Sequence, residues 1–327
     1  MAKLFITGAT GFVGSHVARL ALQQGHQVRI LRRSSSRLDA IADLNVEHVI
    51  GDLFDVSALT EQLAGIDYVL HIAAVADYWR QGEASIYRAN VDGTRNLLLA
   101  AHTAGVQRFI FTSSAAAIGY VGGGHAADES SYFNISPKLS PYGHSKFLAE
   151  AEVYQAIQRG LDCVILNPAV ILGPGDLNQI SGSIILELKR GTLLAMPQSG
   201  GTNFIDARDV AQTHLAALEK GRTGERYIVG AVNMTHKAML KLTAEVIGVR
   251  EPWLPAFGWM IPLAALAVDA GRALGLPIPA EGNQLRLSAK DLYFNPQKMW
   301  SELHTPTIDL RQSIQDTYQW YVANGFI

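Results

Sequence analysis

The chain has 327 residues, a formal net charge of −2, 48% hydrophobic residues and one cysteine. That length can build one large domain or two unequal lobes with a sizeable core. The near-neutral charge offers no basic surface for nucleic acid. The lone Cys163 excludes an internal disulfide, which fits a reducing, cytoplasmic setting.

Lys3 to Ser15 reads Lys-Leu-Phe-Ile-Thr-Gly-Ala-Thr-Gly-Phe-Val-Gly-Ser. The apolar run Leu4–Ile6 leads into Gly8, Gly11 and Gly14, and Val13, Val17, Leu20 and Ala21 then recur at helical spacing. The stretch is predicted as strand, tight turn and helix. Its glycines permit backbone geometry that a Cβ would block, and they let a pyrophosphate approach the positive helix N-terminus. The spacing is G-x-x-G-x-x-G, not the common G-x-G-x-x-G. With the first strand starting near residue 3, no signal peptide is expected.

Gln27–Leu31 is the second predicted strand. An acid near its end would hold ribose hydroxyls, whereas an arginine accepts a 2′-phosphate. Here it ends in Arg32-Arg33-Ser34-Ser35-Ser36-Arg37, with no acid before Asp39. That points to a 2′-phosphate; a solvated basic loop is the plain alternative. Val46–Ile50 is the third strand, followed by Gly51-Asp52-Leu53. Asp52 can accept from an adenine amino group with Leu53 covering the ring, or it caps a helix starting near Val56. Tyr68–Ile72 is the fourth strand, and the small Ala73 and Ala74 let a cofactor lie close. His71 reads as a packing residue at the strand end. Asp77, Tyr78 and Trp79 follow in a loop that either lines a substrate pocket or covers the core.

Ile86–Ala104 is predicted as one long helix containing Asn90-Val-Asp-Gly-Thr94. Gln107–Thr112 is the fifth strand, ending in Thr112-Ser113-Ser114. After the glycine-rich Gly119–Gly124, Pro141-Tyr142-Gly-His-Ser-Lys146 opens a helix to about Arg159, with the proline in its first turn. Leu161–Leu166 is the sixth strand, running out to Asn167-Pro168-Ala169-Val170; Cys163 within it reads as a buried residue, not a nucleophile. Strands and helices alternate throughout, which predicts an α/β fold with a parallel sheet covered on both faces.

Beyond Gly173 the rhythm loosens. Helices near Ile180–Lys189, Val210–Lys220, His236–Ile247 and Ile308–Tyr321, with a strand at Glu225–Val229, predict a smaller lobe over residues 172–327. Segments near 203–231 are expected to return to the first domain, residues 1–171. The run Trp253–Leu276 is the most apolar, but Pro255, Pro262, Asp269 and Arg272 make it a poor transmembrane span. It is read as a helix covering a pocket, with a membrane-surface contact as the alternative.

The chemistry gathers at Tyr142 and Lys146, which are four apart and share a helix face. Their free pKa values are about 10 and about 10.4, and a nearby ammonium favours phenolate. Such a pair can give a proton to a carbonyl oxygen, or take one from an alcohol, near neutral pH. Ser114, at a strand end, can hydrogen-bond the same oxygen. The spacing alone is common on solvated helix faces. It gains meaning downstream of a glycine turn and a strand-end serine.

With these residues in place, the chain resembles the extended short-chain dehydrogenases/reductases over nearly its whole length. Thr7-Gly-Ala-Thr-Gly-Phe-Val-Gly14, Asp52, Ala73-Ala74, Asn90, Thr112-Ser-Ser114, Tyr142 to Lys146, Asn167-Pro168 and Phe204-Ile-Asp-Ala-Arg-Asp-Val210 carry the likeness. The resemblance implies a Rossmann-type, doubly wound parallel sheet with a smaller C-terminal substrate-binding lobe. It implies Tyr142 as acid/base, Lys146 on the nicotinamide ribose and lowering the tyrosine pKa, and Ser114 polarising the substrate. Ser113 competes for that role, but Ala115 to Gly119 follow Ser114 as they do in family members. The implied cofactor contacts are Gly8, Thr10, Gly11, Phe12, Val13, Gly14, Arg32, Arg33, Arg37, Asp52, Leu53, Ala73, Ala74, Asn90, Thr112, Tyr142, Lys146, Asn167, Pro168 and Val170. No metal is implied. A homodimer through the helix carrying Tyr142 is common in the family.

Within the family the chain looks most like the dihydroflavonol-reductase-like branch of the NAD-dependent epimerase/dehydratase group. The rival is a nucleotide-sugar epimerase or dehydratase with tightly bound NAD. Such epimerases carry an aspartate at the place of Arg32 and an arginine where this chain has Thr202 and Asn203. Dehydratases add an acidic pair where Ala115 and Ala116 stand. NADPH is therefore expected over NAD, as the reductant of a hydrophobic or aromatic ketone or aldehyde. Leu193, Leu194, Met196, Trp253 and Phe257 are expected to wall that pocket, or else to be lobe core. Lys189, Arg190 and Arg208 could restore a sugar-nucleotide site if they point inward. A non-catalytic dinucleotide sensor would more readily have lost Tyr142 or Lys146.

Overall fold

The computed structural model describes residues 1–76, 82–276 and 281–327; Asp77, Tyr78 and Trp79 lie outside the described residues. The chain opens with β1 (Lys3–Thr7), α1 (Phe12–Gln23), β2 (Gln27–Arg32), β3 (Glu47–Ile50), α2 (Val56–Gln62) and β4 (Tyr68–His71). It continues through α3 (Glu83–Tyr87), a π-helical turn (Arg88–Asp92), α4 (Gly93–Thr103), β5 (Arg108–Thr112), α5 (Pro141–Gln158) and β6 (Cys163–Pro168). The second half holds β7 (Val170–Leu172), α6 (Ser183–Arg190), β8 (Ala195–Pro197), β9 (Gly201–Asp206), α7 (Ala207–Lys220) and β10 (Arg226–Val229). Then come β11 (Val232–Thr235), α8 (His236–Ile247), β12 (Leu254–Ala256), α9 (Ile261–Ala273), α10 (Gly282–Ser288), β13 (Asp291–Leu292), α11 (Gln297–Glu302) and α12 (Leu310–Ala323).

β3, β2, β1, β4, β5, β6 and β10 form one sheet in that order, every pair parallel. This is a doubly wound Rossmann-type sheet, and its strand order reverses between β1 and β4. Alternation along each strand feeds both faces. Leu4, Ile6, Ile30 and Ile110 pack under α1 and α7, through Val17, Ala21, Val210 and Leu215. Phe5, Val69, Phe109 and Ile165 pack under α2, α4 and α5, through Leu59, Leu97, Ala149 and Val153.

The second lobe centres on β9, which pairs with β7, β11 and β13. Leu172, Ile185, Phe204, Met239, Ile314 and Tyr321 form its core. The chain also returns to the main sheet: β10 adds its edge strand beside β6, and Met299 of α11 enters the cluster under α1 and α7.

Three expectations are corrected. The long helix at Ile86–Ala104 is α3, the π-helical turn and α4; π turns of this kind cluster at functional sites. The cap of α2 is Asp55, whose Oδ1 accepts from Ala58 N at 3.0 Å; Asp52 Oδ1 instead accepts from Phe54 N at 2.7 Å. The run Trp253–Leu276 is no single helix, because Pro255 lies in β12, a 3₁₀ turn follows at Gly258–Met260, and α9 starts only at Ile261. α9 packs on α10, where Gly282 sits against the Asp269 carboxylate and Arg286 pairs with Asp269 at 2.8 Å. Trp253, Trp259, Leu263 and Leu266 are exposed. Among the described residues no helix is long and apolar enough to cross a membrane.

Candidate active site

The site forms where the carboxyl ends of β1, β2, β4, β5 and β6 meet, at the switch point of the sheet. The turn after β1 is drawn tight by a Gly11 N to Gly8 O bond at 2.9 Å. Gly8 has φ +77°, and a Cβ there would lie 2.6 Å from Ala73 N. A Cβ on Gly14 would lie 2.1 Å from Gly8 O. The turn therefore fits only glycine at both positions. α1 has no side-chain cap, so its first N–H groups are left for an anion, in a cradle that suits a pyrophosphate. Thr10, Phe12 and Val13 line the same turn in sequence. The loop of the second lobe lies close by, with Pro174 O 2.8 Å from His16 Nε2.

A buried hydrogen-bond chain fixes the far wall. Ala73 N donates to Thr7 Oγ1 at 3.2 Å, and Thr7 Oγ1 lies 2.7 Å from His71 Nδ1. His71 Nε2 lies 3.0 Å from Thr94 Oγ1, which donates to Asn90 O at 2.7 Å. Burial pushes the His71 pKa down to about 3, so the ring is neutral and structural, as its strand-end position implied. Asn90 is buried and fully engaged: its Oδ1 accepts from Val75 N at 2.8 Å, and its Nδ2 donates to Val75 O and to Ser145 Oγ. It braces the loop holding Ala73 and Ala74 against α5.

The arginine that ends β2, Arg32, and the two that follow it, Arg33 and Arg37, separate. Arg32 Nε donates to His48 Nδ1 at 3.1 Å, and Arg37 pairs with Asp39 at 3.0 Å. Arg33 instead lines a cavity of about 480 Å³ with Phe54, Ala74, Val75, Arg88 and Asn178. Among the described residues no acid lines that cavity. Leu53 packs on the α4 side, close to Gly93. Arg88 lies 4.3 Å from the Phe54 ring centroid; neither was anticipated from the sequence.

Ser140 caps α5, its Oγ accepting from Gly143 N at 3.3 Å, and so sets Tyr142 in the first turn. Tyr142 is half-buried and Lys146 is 1% exposed. Lys146 Nζ donates to Thr112 O at 2.8 Å, docking the helix on the strand end that carries Ser114. Burial pushes the Lys146 pKa down to about 7, with the charge of Glu150 acting the other way. Thr112 Oγ1 lies 2.8 Å from His214 Nε2. Ser113 is buried and donates to Glu150 Oε1 at 2.5 Å, whereas Ser114 is half-buried and its Oγ accepts from Ala116 N at 3.2 Å. Of the two serines, Ser113 commits its hydroxyl proton to Glu150, whereas the Ser114 bond to Ala116 uses its oxygen as an acceptor. Asn167 is buried, its Nδ2 donating to Ser114 O and Glu150 Oε1, and Pro168 ends β6. Val170 starts β7 and is half-buried. Cys163 is buried, and burial pushes its thiol up, so it is no nucleophile.

The walls expected of the substrate pocket divide. Met196 is lobe core and Leu193 packs against it, whereas Leu194, Trp253 and Phe257 are exposed. Thr202 and Asn203 are buried in β9, and Asn203 bonds Asn233 and Ala231. Arg208 pairs with Asp206 and Asp316, Arg190 donates to Phe326 O, and Lys189 lies over the Tyr318 ring. All three cations are spent on the second lobe.

Residues 4–230 match the NAD dependent epimerase/dehydratase family. A Synechocystis protein with a provisional dihydroflavonol 4-reductase name is 37% identical, the match covering 99% of this chain and 95% of that one. A Mycobacterium tuberculosis 3 beta-hydroxysteroid dehydrogenase/Delta 5-->4-isomerase is 33% identical, covering 99% and 91%. The crystal structure of gox2253 superposes with a TM-score of 0.87 at 34% identity, covering 99% of both chains. With its parallel sheet, glycine turn and full-length relatives, this chain belongs to the NAD-dependent epimerase/dehydratase family and is an enzyme of the extended short-chain dehydrogenase/reductase type.

Proposed function

We propose that this enzyme is an NADPH-dependent carbonyl reductase that converts a hydrophobic or aromatic ketone or aldehyde to an alcohol. The observation that carries the reductase reading is the engagement of Lys189, Arg190 and Arg208 within the second lobe. A sugar-nucleotide diphosphate needs positive charge or several donors to replace its water, and these were its best candidates. The dehydrogenase and reductase names of full-length relatives point the same way.

In this reading the glycine turn and the α1 N-terminus hold the pyrophosphate, and Arg33 meets the 2′-phosphate. NADPH supplies the hydride. Ser114 donates a hydrogen bond to the carbonyl oxygen, and Tyr142 gives that oxygen its proton. Lys146 contacts the nicotinamide ribose, and its ammonium stabilises the phenolate left on Tyr142. A homodimer through α5 belongs to the same reading.

Two measurements test it. Fluorescence titration of the reduced cofactors is expected to give NADPH at least about tenfold tighter binding than NADH, roughly 1.4 kcal/mol. Arg33→Asp should erase that preference, and equal affinities in the unmodified protein would refute the 2′-phosphate assignment. Denaturing the purified protein should release no stoichiometric NAD. Release of NAD, or interconversion of UDP-sugars without net cofactor oxidation, would replace the reductase by the epimerase reading.

A further inference from the structure

Glu150 lies one turn beyond Lys146 on α5 and is 2% exposed. A carboxylate this deep is costly unless its oxygens are bonded. Its Oε1 accepts from Ser113 Oγ at 2.5 Å and Asn167 Nδ2 at 2.6 Å, and its Oε2 faces Arg226 Nη1 at 3.3 Å. Arg226 is itself held from the other side, by the carbonyls of Glu129 and Ser131. Asn167 Nδ2 also donates to Ser114 O at 3.0 Å, and Lys146 Nζ to Thr112 O at 2.8 Å. Three successive residues at the end of β5 are thus tied down, two of them through Glu150.

We propose that Glu150 is a positioning residue of the reaction centre. Through Ser113 and Asn167 it fixes the peptide that aims Ser114, and it supplies the negative charge that faces Lys146 in the interior. This rests on the reading of Ser114, Tyr142 and Lys146 as the reacting set. A mere packing role would need neither the charge nor the link to the serine peptide. The ionisable groups that interact with this carboxylate are Lys146 and Tyr154 on α5 and Arg226 of β10; Glu225 acts on Tyr154, and His71 of β4, which burial keeps neutral, lies beside Lys146. Removing the anion lowers the proton affinity of the Tyr142–Lys146 pair as a whole, so the ammonium is lost at lower pH.

The test uses the full chain and its Glu150→Gln, Glu150→Asp, Ser113→Ala and Tyr142→Phe variants. Lysine side chains carry a ¹³C label at Cε, and Lys146 is identified by its absence in Lys146→Arg. Its titration is expected to move down by about half a pH unit or more in Glu150→Gln and to return toward native in Glu150→Asp. With acetophenone and NADPH, Glu150→Gln is expected to lower kcat about tenfold while KM for NADPH stays within about twofold. An unchanged Lys146 titration with native kcat overturns the inference. Should Glu150→Gln not fold, Ser113→Ala decides the positioning role: a kcat about fivefold down at native KM for NADPH supports it, and native kcat overturns it. If Tyr142→Phe keeps full turnover, another group is the acid, and the reading of Ser114, Tyr142 and Lys146 as the reacting set, on which this inference rests, fails. If Tyr142→Phe is inactive and the Glu150 variants behave as native, only the inference about Glu150 fails.

Discussion

Tyr142→Phe is expected to reduce turnover about a thousandfold, while NADPH affinity stays within about twofold. General acid catalysis contributes about 10² to 10⁴ in rate, and a thousandfold corresponds to roughly 4 kcal/mol of barrier. The substitution keeps the ring in the first turn of α5 and leaves Lys146 bonded to Thr112 O. In the proposed reaction, what it removes is the proton given to the carbonyl oxygen. Cofactor binding and turnover should therefore part company, which loss of fold would not produce. Consumption of reduced nicotinamide in the presence of an aromatic ketone reads the first, and fluorescence titration the second. A fall in turnover of less than about tenfold would mean that another group is the acid.

The second large effect is expected at Gly14. A Cβ there would stand 2.1 Å from Gly8 O, 2.6 Å from Gly8 C and 2.8 Å from Ala9 Cα. These are backbone atoms, so no side chain can swing aside. α1 must lift from the turn, yet Val17, Ala18 and Ala21 bind it into the core. Gly14→Ala is expected to destabilise the protein by about 1–3 kcal/mol, the range for overpacking, and to weaken NADPH binding about a hundredfold. Gly11→Ala is the control, because its Cβ would meet only Gly8 O, at 3.3 Å. Thermal unfolding and cofactor titration of both variants check the ranking. Native NADPH affinity in Gly14→Ala would show that the pyrophosphate is held elsewhere.

The main sheet was legible in the sequence because most of its strands carry an apolar run bounded by a turn. β1, β2, β3, β4, β5, β6 and β10 lie within a residue or two of their predicted positions. The helices α6, α7, α8 and α12 were legible too, close to their predicted positions, but the strands of the second lobe were not, and the reason is local. β7, β8, β12 and β13 have two or three residues each, too few for any period, and Pro197 and Pro255 sit inside two of them. The chemistry was legible wherever spacing carried it, as in Tyr142 and Lys146. It was hidden where tertiary packing decides. Nothing in Arg32-Arg33-Ser-Ser-Ser-Arg37 says which guanidinium will find His48, Asp39 or a cavity. Nor does an isolated Asn90 announce that it will brace a loop. Glu150 did leave a trace, an acid one turn past Lys146 on the same helix face, but burial is what gives it weight.

The late arrival of β10 has a consequence for how the chain is made. Ile165, Leu166, Asn167 and Pro168 of β6 pair with residues 226–229, and everything from 169 to 225 must be synthesised in between. Until then β6 is an open parallel edge, and the face of α1 that packs with Val210 and Leu215 has no cover. Open edges and bare apolar faces are where nascent chains stick to one another. The nucleotide-binding half is therefore not a module that can finish folding as it leaves the ribosome. It waits, with its catalytic strand ends already spelled out, for a strand and a helix encoded far downstream.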